Sequence, residues 1–177
     1  DLGVKIDYFH CEIKREVSFL NDIKCLIRIF EIVRRFKPDI LHCHSAKSGI
    51  LGRIIGFVTN TKTVYTPHAY SYLSAESKKK YFLLKNIERF FGLLPAKTFA
   101  CSKSEYNRAN ADLKIKKEKV VLWNNSIENG IKLTNSDFLT KLPKDFICSI
   151  GRPSFQKNTE LLIEAVLKLK QTHRSIH

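Results

Sequence analysis

Across its 177 residues the chain has no methionine. An intact translation product begins with methionine, so the sequence is expected to be a processed chain or an excerpt. Its end favours an excerpt, because the last helical pattern stops at Gln171-Thr172-His173 with no strand following. No apolar run approaches the ~20 residues that a membrane-spanning helix needs. The N-terminus carries no signal-peptide pattern. No C-x-x-C pair occurs among Cys11, Cys25, Cys43, Cys101 and Cys148, and their number is odd. A disulfide framework is therefore not expected. Cys43, Cys101 and Cys148 lie in apolar strand-like runs and are expected to be reduced, small, buried residues of a cytosolic protein. No internal repeat or low-complexity segment is present. Acidic residues are in deficit, with 17 Asp+Glu against 31 Lys+Arg and a net charge of +14. Such a balance favours anionic partners (nucleic acid, acidic lipid or phosphorylated small molecules) or reflects only a lysine-rich proteome. No helix-turn-helix, zinc-knuckle or aromatic RNP pattern supports nucleic acid.

What is present is an alternation of short apolar runs with helical patterns. Strands are predicted at Val4 to Phe9, Asp39 to His42, Thr63 to Thr66, Thr98 to Cys101 and Lys119 to Leu122. Helices are predicted at Asn21 to Phe36, Ser45 to Val58, Lys78 to Leu94 and Ser102 to Ala111. In the first helix Ile23, Leu26, Ile27, Phe30 and Val33 recur at spacings of one helical face. Asn21 or Asp22 could cap it and Pro38 stops it; Ser45 is placed to cap the second. The strand runs are apolar throughout rather than alternating, as in parallel strands buried on both faces. The expected fold class is α/β, a Rossmann-like doubly wound parallel sheet, over residues 1–125. Residues 126–144 are polar and read as a linker, with one possible helical turn around Asp137 to Leu142. The rhythm restarts over 145–177, with a strand at Phe146 to Ile150 and a helix from Asn158 to Lys170. That pair would open a second Rossmann-like domain.

Between that last strand and helix lie Gly151, Arg152 and Lys157. Gly lets a ligand approach the backbone, two cations supply charge, and the following helix points free N–H groups at an anion. The same residues could be plain surface charge. His68 follows a strand and a proline, at the edge where open α/β sheets bind ligands. A histidine there could equally be structural. His42 and His44 sit two apart on a strand and share a face. They could be metal ligands, but no third ligand stands at suitable spacing, so no metal site is assigned. His44, Ser45 and the small-residue turn to Gly49 are expected to line a cleft. Lys78-Lys79-Lys80 and the aromatics to Phe91 allow two readings. An amphipathic helix could bury Phe82, Leu83, Ile87, Phe90 and Phe91, leaving the lysines outside. Alternatively it could dock on an anionic membrane face.

Taken together, four segments resemble those of GT-B glycosyltransferases of family 4. They are Pro38-Asp39-Ile40-Leu41-His42-Cys43-His44-Ser45 to Gly49, Val64-Tyr65-Thr66-Pro67-His68-Ala69-Tyr70, Val121 to Glu128, and Gly151-Arg152 to Lys157. They occur in the family's order and cover nearly the whole chain. The resemblance implies an acceptor-side N-terminal domain and a C-terminal domain for the nucleotide-sugar donor, UDP- or GDP-linked. It implies transfer, with retention, to a sugar or lipid-linked acceptor in cell-surface polysaccharide or glycolipid synthesis. It implies no cofactor, independence of metal, and a cytoplasmic place, peripheral on the inner membrane face. It places His68 near the scissile bond and acceptor as the catalytic residue. It places Arg152 and Lys157 on the donor diphosphate, with His44, Ser45, Gly49 and Gly151 lining the cleft. The first strand of the N-terminal domain and the E-x7-E segment of the C-terminal domain are not found, so the excerpt is expected to be inactive alone. Ser126 and Glu128 stand where Gly and Asp are usual. Ala69 and Asn158 also stand where Gly is usual, and Gly conformations are not freely open to them. A GT-B-fold sugar-nucleotide epimerase and a basic nucleic-acid-binding module are the competing classes.

Overall fold

The protein is described from a computed structural model that covers residues 3, 5–14, 18–126, 143, 146–151 and 157–173. Helix α1 (Phe19–Phe36) starts from Ser18, whose extended backbone is the N-cap. The Ser18 N–H donates to the Asp22 carboxylate at 3.2 Å, so Asp22 satisfies an end-of-helix donor from inside the first turn. Lys37, in the left-handed region at φ 48°, closes the helix ahead of Pro38.

Four strands follow: β1 (Ile40–His44), β2 (Lys62–Thr66), β3 (Ala96–Ala100) and β4 (Val120–Leu122). All are parallel and lie in the order β1-β2-β3-β4. Helices α2 (Ala46–Thr59), α3 (Lys78–Gly92) and α4 (Lys103–Ala111) make the crossovers. This is an α/β, Rossmann-like parallel sheet. With sequential strand order and crossovers of one hand, the three helices fall on one side. Beneath them Cys43, Thr63, Tyr65, Thr98 and Ala100 are buried. On the other side Ile40, His42 and Val121 are exposed, and Val64 and Phe99 are half-buried. Burial on both faces, expected from the apolar runs, is thus found mainly on the helix face, while on the other, among the described strand residues, it reaches only Thr66 fully.

Helix α2 lies very close to the sheet. A Cβ at Gly49, Gly52 or Gly56 would fall 2.2 Å from the Tyr65 ring, 2.0 Å from Cys43 Sγ or 1.8 Å from Thr63 Oγ1. The glycines are therefore a packing stripe, and any side chain there would push α2 off the strands.

Helix α3 corrects the sequence reading. Phe82, Leu83 and Phe90 are exposed, and Ile87 and Phe91 are half-buried. The inward face carries Tyr81, Leu84 and Glu88 instead. Glu88 is 1% exposed and meets the equally buried Arg53 of α2 at 3.1 Å. Tyr65 Oη donates to Glu88 Oε1 at 3.0 Å, and Arg53 Nε donates to the Gly49 carbonyl at 2.9 Å. The guanidinium also lies 4.2 Å over the Tyr65 ring. A hydropathy pattern cannot find such a face, because its central member is an ion.

Two predicted strands are not formed. Residues 5–9 have no ladder partner, and Ile6 and Tyr8 are exposed. Residues 146–150 are also unpaired, with Ile150 94% exposed. A strand needs a neighbour for its backbone groups, and the described residues offer none to either segment. The chain separates into two compact units, Asp1–Asn125 and Ser126–His177. In the second, α5 (Thr159–Thr172) is the described helix. The linker turn around Asp137 to Leu142 lies outside the described residues.

Candidate active site

The register of β1 and β2 pairs His44 with Thr66, so the two strands end level at the carboxyl edge. The Ser45 N–H donates to the Thr66 carbonyl at 3.0 Å and carries the ladder one residue further. The chain then turns through buried Pro67 into His68 and Ala69. Both have positive φ, 50° and 75°, and Ser45 across the edge has φ 68°. A left-handed backbone costs a non-glycine residue roughly 1–2 kcal/mol, and such strain gathers where surrounding contacts over-determine it.

This turn brings His68 Nε2 to 2.9 Å from His44 Nδ1, with the two rings nearly parallel at 15°. In a neutral pair one nitrogen donates the shared hydrogen and the other accepts it. His42, on the same face, hydrogen-bonds Thr66 Oγ1 through Nε2 at 2.8 Å, and its ring lies 4.2 Å from that of His44. Burial first, and then the charges of His44 and His68, lower the pKa of His42. From the end of β3, Cys101 Sγ lies 3.7 Å from His68 Nδ1. Burial, then the carboxylate of Glu105, pushes the Cys101 thiol up. Further along the edge, exposed Trp123 stacks on Phe99 at 5.3 Å.

The histidines thus come together at the predicted edge. Two other expectations change. Ser45 occupies the N-cap position of α2 with a positive φ, but its hydroxyl makes no cap hydrogen bond and lies 3.5 Å from Ser48 Oγ. Ser48 Oγ, from within the first turn, donates to the His44 carbonyl instead. Gly49 is buried against Tyr65 and serves packing, not the cleft lining expected of it. Among the cysteines, Cys43 is buried and its thiol is pushed up to about 11, whereas Cys101 is half-buried and Cys148 is exposed. Among the described residues no three His, Cys, Asp or Glu side chains are grouped to hold a metal ion.

Glu105 was not singled out from the sequence. Its signal was the Ser102-x-x-Glu105 spacing of a capping box. Half of that box forms, with the Glu105 N–H donating to Ser102 Oγ at 3.2 Å. The carboxylate does not return to the Ser102 amide. It accepts from the Cys101 N–H at 2.8 Å and the Ala69 N–H at 2.5 Å.

In the second unit, Gly151 and Lys157 are both exposed, and Lys157 Cγ lies 4.0 Å from where a Gly151 Cβ would stand. Arg152 lies outside the described residues. Asn158 has φ 45°, and its side-chain oxygen accepts from the Leu161 N–H at 3.4 Å. Of the three positions where Gly is usual, Ala69 and Asn158 therefore do adopt a positive φ, and Ser126 does not.

The family model described as Glycosyltransferase Family 4 matches residues 10–129. Among curated proteins, the chain is 35% identical over 77 residues to an Escherichia coli UDP-Gal:alpha-D-GlcNAc-diphosphoundecaprenol alpha-1,3-galactosyltransferase, covering 43% of this chain and 20% of that one. It is 25% identical over 160 residues to the Escherichia coli O-antigen biosynthesis glycosyltransferase WbnH, covering 90% of this chain and 44% of that one. It is 26% identical over 122 residues to the Staphylococcus aureus capsular polysaccharide biosynthesis glycosyltransferase CapM, covering 67% of this chain and 31% of that one. The chain thus spans less than half the length of each of these relatives. The match across the whole β1–β4 sheet and its histidine-bearing edge shows that the chain belongs to glycosyltransferase family 4.

Proposed function

We propose that the chain is part of an enzyme that transfers a sugar from a nucleotide-diphospho-sugar to an acceptor in cell-surface polysaccharide or glycolipid synthesis. The observation that carries this reading is the family match over residues 10–129. The named functions of the relatives, in O-antigen and capsule synthesis, support the pathway class. The galactosyltransferase relative supports a UDP-sugar donor and a sugar-diphosphate-polyprenol acceptor. Retention follows from the resemblance to the family and from no residue of this chain. In this reading Arg152 and Lys157 neutralise the diphosphate of the donor and the charge that grows on it as the glycosidic bond breaks. Fixed cations there make a metal ion unnecessary. His68 acts on the acceptor side, with His44 as its hydrogen-bond partner.

The acceptor's lipid would hold the enzyme at a membrane. Phe82, Leu83, Phe90 and Leu93 are exposed on or just beyond α3, with Lys78, Lys79, Lys80 and Arg89 exposed on the same helix. That combination suits peripheral contact with an anionic cytoplasmic leaflet. No helix among the described residues is long and apolar enough to cross a membrane.

The test uses the full-length protein with UDP- and GDP-sugars and a sugar-diphosphate-polyprenol acceptor, with and without EDTA. The expected result is an acceptor heavier by one sugar, EDTA-insensitive, with the donor's anomeric configuration kept. Lys157→Ala or Arg152→Ala should lower turnover at least about tenfold, since such contacts are worth ~2–4 kcal/mol in a transition state. His68→Ala should impair transfer and spare nucleotide binding. Full activity of the Lys157→Ala enzyme would remove the donor-side assignment. A change in the donor sugar alone, with no acceptor consumed, would instead favour an epimerase.

A further inference from the structure

We propose that Glu105 is a positioning residue that holds the His68–Ala69 turn in the conformation in which His68 meets His44. Glu105 is 9% exposed and, among the described residues, its carboxylate has no Lys, Arg or His within ion-pair distance. A buried carboxylate needs compensating donors, and here backbone amides supply them. Its two oxygens divide the work. Oε1 takes the Ala69 N–H beyond β2, and Oε2 takes the Cys101 N–H beyond β3. One side chain therefore ties together the ends of two neighbouring strands. Ser102 Oγ, accepting from the Glu105 N–H, fixes the start of α4 from which the carboxylate reaches out.

The turn needs such a hold. His68 and Ala69 are consecutive non-glycine residues with positive φ, a state the backbone leaves when nothing opposes its relaxation. Relaxation would swing the His68 ring away from His44 Nδ1, now 2.9 Å distant, and from Cys101 Sγ, now 3.7 Å distant. The carboxylate thus holds the turn that carries the ring and one of the ring's neighbours, Cys101, while His44 is set by β1. The consequence for catalysis rests on the acceptor-side role proposed for His68, whereas the geometry does not.

The experiment compares full-length wild-type protein with Glu105→Gln and Ser102→Ala. A carboxamide can accept at one end only, and its NH2 opposes the other amide, so Glu105→Gln must release one of the two. By hydrogen exchange, the amide of Ala69 or of Cys101 should exchange at least about tenfold faster, as opening no longer breaks a charge-assisted bond. Where Ala69 is the amide released, the His44–His68 hydrogen bond should be lost in spectra of nitrogen-labelled histidine; where Cys101 is released, it should persist. Ser102→Ala should loosen the first turn of α4 and raise Ala69 exchange less than Glu105→Gln does. In transfer assays, Glu105→Gln should lower kcat at least about tenfold with donor KM unchanged. If Glu105→Gln does not fold, Glu105→Asp keeps the charge and shortens the reach, and should give an intermediate rise in exchange. Unchanged exchange at both amides, or an equal effect from Ser102→Ala, would overturn the proposal. Faster exchange and a broken imidazole pair with undiminished transfer would leave Glu105 as the holder of the turn and remove the catalytic role of His68.

Discussion

At the scale of single residues, three imidazoles share one patch at the sheet edge. The pKa of His42 is displaced downward, by burial and then by its two neighbours. A free histidine titrates near ~6.5, so in the acid range the unfolded chain takes up this proton before the folded one does. Stability from neutral His42 is therefore complete above about pH 6.5 and is lost as pH falls from there towards the lower folded value. His42→Asn keeps a partner for Thr66 and removes the titration. Urea midpoints measured between about pH 7.5 and pH 5.5 should fall less for the variant than for the wild type. Parallel curves would show that His42 takes up its proton equally in both states. Asp22 carries the opposite charge logic at the α1–α2 contact. The Lys47 ammonium, 2.7 Å away, holds its carboxyl below the ordinary range.

At the scale of elements, α2 and α3 are joined by chemistry that hydropathy hides. Glu88→Ala leaves Arg53 buried without its anion and should destabilise the fold by about 3–5 kcal/mol. The double change Arg53→Met with Glu88→Leu should recover most of that loss, because the cost of burying charge disappears with the charge. Denaturant melts of the single and double variants decide this, and a double variant as weak as the single one would refute it. The same pair explains what could and could not be read beforehand. The β–α alternation, the parallel sheet and the level ends of β1 and β2 were legible, because short apolar runs and Pro38, Pro67 and Pro95 punctuate them. Strand order put His44 and His68 at neighbouring strand ends, but their hydrogen bond depends on the positive-φ turn through His68 and Ala69. The inward face of α3 was not legible, since Glu88 faces the core and Phe82 faces solvent. Glu105 was missed because a capping box is a local signal, and the carboxylate's partner Ala69 is distant in sequence. The segments at 5–9 and 146–150 have strand composition but no ladder partner among the described residues. Composition states a preference, whereas a ladder needs two chains' worth of backbone.

At the scale of the molecule, charge and exposed aromatics coincide on one helix of the first unit. Full-length protein should float with vesicles containing acidic lipid and float less with neutral ones. Lys78→Glu, Lys79→Glu and Lys80→Glu together should abolish the difference, each lysine contributing about 1 kcal/mol at an anionic surface. Phe82→Ser with Phe90→Ser should weaken binding to both kinds of vesicle, as apolar insertion does not depend on lipid charge. Equal flotation by all variants would mean that another surface makes the contact. The strand order has its own consequence. Every ladder in the sheet joins strands that are neighbours in the sequence, β1 with β2, β2 with β3 and β3 with β4. The order of synthesis is therefore the order of pairing. As the ribosome releases each β–α unit, the strand it pairs with is already made, so each free edge waits only for the next unit and for no distant segment.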